Sequence, residues 1–265
     1  MPEKYGFTIV HGQEPFPAQV TKSIFLAGPI PRDEKGLSWK FGAFAILKSL
    51  SFSGTVYDPE KKGGGFRKDN NRQAQTDWED EGLNRADVIL FWIPRELKHM
   101  PALTTNVEFG EWMKSGKVVL GAPENAARMK YLFEKAGKYQ IPTANTLKKT
   151  IELALDMLGR GALRIGGECQ VPLHIWRTKA FQHWYQSRKE AGKELRGCRV
   201  LYNNLFAKHQ PIWLKPIWLI RPQVYVPEED RIKSAELVAG RSDGTCSDLY
   251  YLPEDEDTIF PRLIL

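Results

Sequence analysis

Between residues 21 and 160, short apolar runs alternate with longer segments of helical spacing, and that alternation leaves very few architectures open. Strands are expected over residues 23–28, 54–59, 86–93 and 117–121. Helices are expected over residues 38–50, 75–85, 108–115, 126–136 and 146–160. The first helix carries apolar residues at positions 41, 44, 46, 47 and 50, and the last carries Leu147, Ile151, Leu155 and Leu158. Strands separated by helices must run parallel, and a parallel sheet is covered on both faces. The expectation is therefore an α/β, flavodoxin-like or Rossmann-like layered domain over residues 1–160.

The pattern changes at the glycine-rich stretch 159–167, which reads as a linker. Beyond it lie Trp176, Trp184, Trp213 and Trp218, many prolines, and strand-like runs at 199–202, 212–220 and 223–226. Residues 168–265 are read as a second, smaller, β-rich unit, with a further strand-like run at 258–265. The lysine- and glycine-rich loop 61–71 is expected to be mobile.

Composition narrows the function classes. Net charge is +6 and the isoelectric point about 9.1, yet the basic residues are scattered in short clusters such as Lys61-Lys62 and Lys148-Lys149, without aromatic interleaving. That pattern suits an anionic small molecule better than polymeric nucleic acid, which is not expected as a partner. The three cysteines, Cys169, Cys198 and Cys246, are too far apart for a framework of bridges or a zinc site of close pairs. None of the five histidines pairs with another ligand at metal spacing, so no metal is expected. No window approaches a membrane span, and residues 1–6 lack a secretory pattern. A cytoplasmic protein is expected.

Open α/β sheets bind ligands outside the carboxyl ends of their strands, so residues following strands matter first. Thr104-Thr105-Asn106-Val107-Glu108-Phe109-Gly110 follows the apolar strand 86–93 and places Glu108 at the head of the expected helix. A carboxylate there has two uses: to complement the helix dipole, or to attack an anomeric carbon. Within Asp77-Trp78-Glu79-Asp80-Glu81, most acids read as a solvated face. A helix that buries Trp78, Gly82 or Leu83, and Ala86 turns Glu79 toward the sheet edge, where a desolvated carboxyl can exchange a proton. Asp87 opens the third strand and either caps a turn or reaches a ligand. The turn Gly28-Pro29-Ile30-Pro31-Arg32 offers backbone N–H groups for an anion or a hydroxyl, with Arg32 adding charge, or is a plain connection. Trp92 and its neighbour Phe91 serve as core or as a stacking platform.

Taken together, Ile24-Phe25-Leu26-Ala27-Gly28-Pro29, Tyr57-Asp58-Pro59-Glu60, Trp78-Glu79, Leu83-Asn84-Arg85-Ala86-Asp87-Val88-Ile89, Val107-Glu108-Phe109-Gly110 and Gly116-Lys117-Val118-Val119 resemble the nucleoside 2-deoxyribosyltransferase family and its nucleotide N-glycosidase relatives. The resemblance runs across residues 21–135. It implies an enzyme in which Glu108 attacks C1′ of a ribose or deoxyribose and Glu79 assists the base or sugar. Substrate contacts are then implied at Gly28, Pro29, Arg32, Asp58, Asp87, Trp92 and Asn106. It implies a small-molecule nucleoside or nucleotide as partner, a homo-oligomer, and no cofactor. Two positions depart from the family: Ile24 replaces an aromatic hydroxyl, and Ala102 stands where an acidic residue is expected. Hydrolysis therefore competes with transfer, and a nucleotide or ADP-ribose-like sensor without turnover is the alternative. Residues 171–176, 203–206, 213–226 and 231–236 resemble the front portion of Nudix hydrolases without their catalytic box, so diphosphate hydrolysis is not implied.

Overall fold

Hydrophobic strand runs buried from both sides build the first unit around a six-stranded, all-parallel sheet. The computed structural model describes residues 5–31, 38–62, 72–203, 217–241 and 246–249, and the chain divides into two compact units, Met1–Met113 with Lys117–Leu163 and Lys114–Gly116 with Arg164–Leu265. In the first unit the elements are β1 (Thr8–His11), β2 (Ser23–Ala27), α1 (Lys40–Ser49), β3 (Thr55–Asp58), α2 (Arg72–Arg85), β4 (Val88–Trp92), α3 (Leu103–Trp112), β5 (Val118–Gly121), α4 (Lys130–Lys138), β6 (Thr143–Ala144) and α5 (Leu147–Leu158). The strand order is β1-β3-β2-β4-β5-β6.

Every residue of β2, β3, β4 and β5 is buried, as a sheet covered on both faces requires. Phe25 of β2 lies beside Tyr57 of β3 and Ile89 of β4. The chain leaves β2 toward β3 and then returns across it to β4. The topological switch point, where open sheets bind ligands, therefore falls at the carboxyl ends of β2 and β4. This is the layered α/β fold expected from the alternation.

One core cluster joins the sheet to α2, α3 and α4 through Trp78, Leu83, Phe109, Leu132 and Ala136. Phe91 of β4 meets Phe109 of α3 edge-to-face, with ring centroids 5.5 Å apart, a geometry that contributes about 1 kcal/mol beyond area burial. On the other face α5 packs against α1, β4 and β5. Thr146 caps α5 by accepting from Lys149 N at 3.2 Å, and Gly159 ends it.

Two elements differ from expectation. The third helix begins at Leu103, so Glu108 sits in its second turn rather than at its head. Its β-branched start, Thr104-Thr105, lies ahead of the expected helix, but Thr105 and Phe109 are buried one turn apart and hold that segment helical. The edge strand β1 was not anticipated; it is short and only Val10 of it is buried.

The second unit holds α6 (Leu173–Trp176), α7 (Lys179–Glu190) and an antiparallel sheet of β7 (Glu194–Asn203), β8 (Ile217–Val226), β9 (Arg231–Lys233), β10 (Leu237–Arg241) and β11 (Cys246–Leu249). Its core is built on Phe181, Trp184, Cys198, Trp218 and Ile220. The sequence suggested a break near Pro222. Instead β8 runs through it, and register shifts against β7 between Leu219 and Ile220 and between Gln223 and Val224 absorb the irregularity. The helix α7, capped by the Thr178 hydroxyl accepting from Phe181 N, was not foreseen in a unit read as β-rich. Cys169 and Cys198 are buried and are not in a disulfide. The expected mobile loop, apart from residues 61 and 62, and the strand-like run 258–265 lie outside the described residues.

Candidate active site

A cleft of about 160 Å³ opens at the switch point, lined by Phe25, Ala27, Gly28, Ile30, Pro59, Glu79, Thr104, Thr105 and Glu108. The carboxyl ends of β2 and β3 form its floor, and α2 and α3 bring one carboxyl group each. Local packing fixes both helices. On α2, Trp78, Gly82 and Leu83 are buried; Trp78 stacks on Phe16 and donates from Nε1 to Glu14 O at 2.7 Å. A Cβ at position 82 would lie 2.8 Å from the Phe25 ring, so glycine allows α2 to settle onto β2. The next residue after Trp78 then faces the cleft. Gln75, one turn earlier, donates from Nε2 to Pro59 O at 3.1 Å and to Glu79 Oε1, pinning Glu79 to the β3 end.

Glu108 is held up by its surroundings. Its pKa is pushed up to about 7, first by burial and then by the negative charge of Glu79, with Lys40 opposing both. The two carboxyl groups thus sense each other across one cleft, and near neutral pH Glu108 is divided between its two forms.

The turn after β2 is shaped by steric necessity. A Cβ at Gly28 would fall 2.2 Å from Trp92 O and 2.9 Å from the Trp39 ring. The Trp39 indole donates to Pro29 O at 3.2 Å, so Pro29 is buried in the turn's support while Gly28 and Ile30 face the cavity.

The remaining expected contacts fall elsewhere. Asp58 ends β3 but turns into a buried network: its carboxylate meets Lys40 Nζ at 2.9 Å and His11 Nδ1 at 3.1 Å, while Glu60 lies 3.6 Å from Lys40 Nζ and accepts from Ser38 Oγ. Asp87 sits at the opposite, amino end of β4, accepting from Ser23 N at 2.8 Å and Ser23 Oγ at 3.1 Å. It ties β2 to β4 and does not join the cleft, because the amino and carboxyl ends of parallel strands lie on opposite rims. Trp92 is buried against Gly121 on the α5 side, so it packs as core rather than as an open platform. Asn106 accepts from Arg95 Nη2. Arg32 lies outside the described residues. Thr104, Thr105, Ile30 and Pro59 line the cleft without having been singled out. Their positions directly after strands or one turn before Glu108 were the only signal.

Among the described residues no group of three or more His, Cys, Asp or Glu side chains is placed to hold a metal ion, and no helix is long and apolar enough to cross a membrane. The family described as "Nucleoside 2-deoxyribosyltransferase like" matches residues 21–126, less than half of the chain. That span contains the whole cleft, from Phe25 to Glu108. The match ends before Arg164, where the main part of the second unit begins, and the likeness of that unit to Nudix hydrolases finds no support. Among curated proteins, none matches this chain.

Proposed function

We propose that the first unit breaks the N-glycosidic bond of a nucleoside or nucleotide, with Glu108 as nucleophile and Glu79 as its proton partner. The observation that carries this reading is the pair of carboxyl groups lining one cleft at the switch point, inside the span that matches the deoxyribosyltransferase-like family. In the free protein burial and the charge of Glu79 favour the protonated form of Glu108. Passing that proton to Glu79 frees the Glu108 carboxylate to attack C1′. The C1′–N bond breaks as the ester to Glu108 forms, its electron pair leaves with the base, and Glu79 delivers the proton to that base. Water or a second base then attacks C1′, gives up a proton to Glu79, and restores the Glu108 carboxylate. Gly28, Ile30 and Pro59 frame the sugar.

Incubation with a panel of nucleosides, nucleotides and NAD, followed by chromatography of free base, tests the proposal. Wild-type protein should release base and Glu108→Gln should not. Equal turnover in the variant removes Glu108 from the chemistry, and ligand binding without base release by the wild type turns the reading toward a sensor.

A further inference from the structure

Among the described residues, a buried cation on the other flank of α3 has no counter-charge. Arg95 follows the carboxyl end of β4 and is only 7% exposed. Its Nη1 donates to Arg128 O at 3.2 Å and its Nη2 to Asn106 Oδ1, both neutral acceptors, and its Nε has no partner. Burial pulls its pKa down, with no carboxylate close enough to oppose the effect. The neighbouring acids are engaged elsewhere. Glu96 accepts from the backbone N–H groups of Lys98 and His99 at 3.0 and 2.6 Å, and Glu124 accepts from Asn145 Nδ2 at 2.7 Å. A guanidinium covered from water and unmatched by an anion is costly unless something else supplies the charge.

The amino end of α4 lies against the same group. Arg128, whose carbonyl takes the Arg95 proton, has its backbone in the left-handed region at φ 53°, a conformation that costs energy and gathers at ligand clamps. Two residues on, the nine-residue α4 begins at Lys130 with no side-chain cap and no acid in its first turn. Its free N–H groups and the positive end of its dipole are uncompensated. The Arg128 side chain is exposed and makes no hydrogen bond or ion pair among the described residues.

We propose that Arg95, Arg128 and the amino end of α4 form a phosphate-binding site distinct from the Glu79–Glu108 cleft. Successive helical residues turn by about 100°, so Asn106, which orients Arg95, lies on the opposite flank of α3 from Glu108. The phosphate takes the Nε–Nη2 edge of Arg95 in the fork geometry that suits its oxygens. The first-turn N–H groups of α4 hold another oxygen, and Arg128 closes over it from the solvent side. The site stands whether or not the cleft cleaves glycosidic bonds.

Isothermal titration of the full chain with inorganic phosphate, at ionic strength held constant with sodium chloride, tests it. Wild-type protein should bind, Arg95→Met should lose about tenfold or more in affinity, and Arg128→Met should lose about threefold. Glu108→Gln should bind phosphate as the wild type does. A nucleoside 5′-monophosphate titrated in parallel separates the two sources of the phosphate. Tighter nucleotide binding that Arg95→Met removes assigns the site to a nucleotide, and equal affinities assign it to the free ion. No binding above the chloride background overturns the proposal, as does binding that Arg95→Met leaves intact or that follows Glu108→Gln instead. Should Arg95→Met fail to fold by circular dichroism, the surface variant Arg128→Met decides alone, and unchanged affinity there overturns the site.

Discussion

The two rims of the parallel sheet treat their buried charges in opposite ways. At the amino rim, Asp87 accepts two hydrogen bonds from Ser23. Lys117 there donates to Leu83 O at 2.7 Å and Asn84 O at 2.9 Å, with its ammonium 4.6 Å from the Trp112 ring centroid. Each of these groups meets its hydrogen-bond partners where the chain puts it, and each joins one element to its neighbour. At the carboxyl rim, half-buried Glu108 shares one cleft with another carboxyl group, and among the described residues the Arg95 guanidinium keeps its Nε without a partner. Matched charge is what stability selects. Mismatched charge costs stability, and its natural explanation is a ligand that completes it.

The largest expected effect tests the carboxyl rim directly. Glu108→Gln should lower base release by about three orders of magnitude or more, as loss of a nucleophile does, while thermal unfolding shows the fold unharmed. Comparable loss on replacing Asp87 without any loss of stability would erase the distinction between the rims. Next comes pH. The folded pKa of Glu108, about 7, lies above its unfolded value near 4.5, so the native state binds more protons and stability falls as pH rises between those values. One pKa unit is worth about 1.4 kcal/mol, which bounds the loss at about 3 kcal/mol. Denaturation of wild type and Glu108→Gln at pH 4.5 and pH 8 should therefore show equal stability at the lower pH and a more stable variant at the higher one. Base release should fall as pH rises through about 7, because the proton that Glu79 passes to the base is the one Glu108 holds in the free protein; a rate rising through that range would show that attack needs only the bare carboxylate and that the base leaves without that proton.

At the amino rim the sign reverses. Lys117→Met removes a donor shared by two carbonyls at the end of α2, and it should cost about 2–3 kcal/mol with no gain at any pH. A neutral or stabilising outcome would show that the amino rim, too, carries charge at a cost.

Much of this layout was legible in the sequence because parallel strands announce themselves. Residues 23–28, 54–59, 86–93 and 117–121 each carry a run of apolar residues, and each contains a strand within two residues of the expected ends. What hid was whatever lacked that signature. The edge strand β1 mixes polar with apolar residues, and α3 starts on two threonines that only tertiary burial holds helical. In the second unit, Trp184 and Phe181 belong to a helix whose apolar spacing was masked by Lys, Gln, His and Arg. The places of Glu79 and Glu108 along the cleft were legible because residues near strand ends and beside buried aromatics have few directions to point. Asp58 and Asp87 were not, because a carboxylate at a strand end looks the same in sequence whether it meets a ligand or a lysine. The partners that decide it, Lys40, His11 and Ser23, come from distant segments.

The smallest effect probes the exception, a matched network on the carboxyl rim. There His11, Asp58, Lys40 and Glu60 lie together under Pro59, which lines the cleft. The hydrogen bond to Asp58 raises the His11 pKa above 6.5, so the protonated ring adds stability that is fully present below that value and is lost as pH rises through the folded one. Asp58 is shifted the other way: burial favours its neutral form, but Lys40 and His11 outweigh that and hold its pKa below 3.8, so its share fades only in strong acid. His11→Gln should therefore cost less than about 1 kcal/mol, more at pH 5.5 than at pH 8.5, with Asp58→Asn abolishing the difference between the two pH values. A cost independent of pH would mean that His11 packs without charging. The network would then be a neutral wall of the cleft, and Lys40 would be left to balance both Asp58 and Glu60 alone.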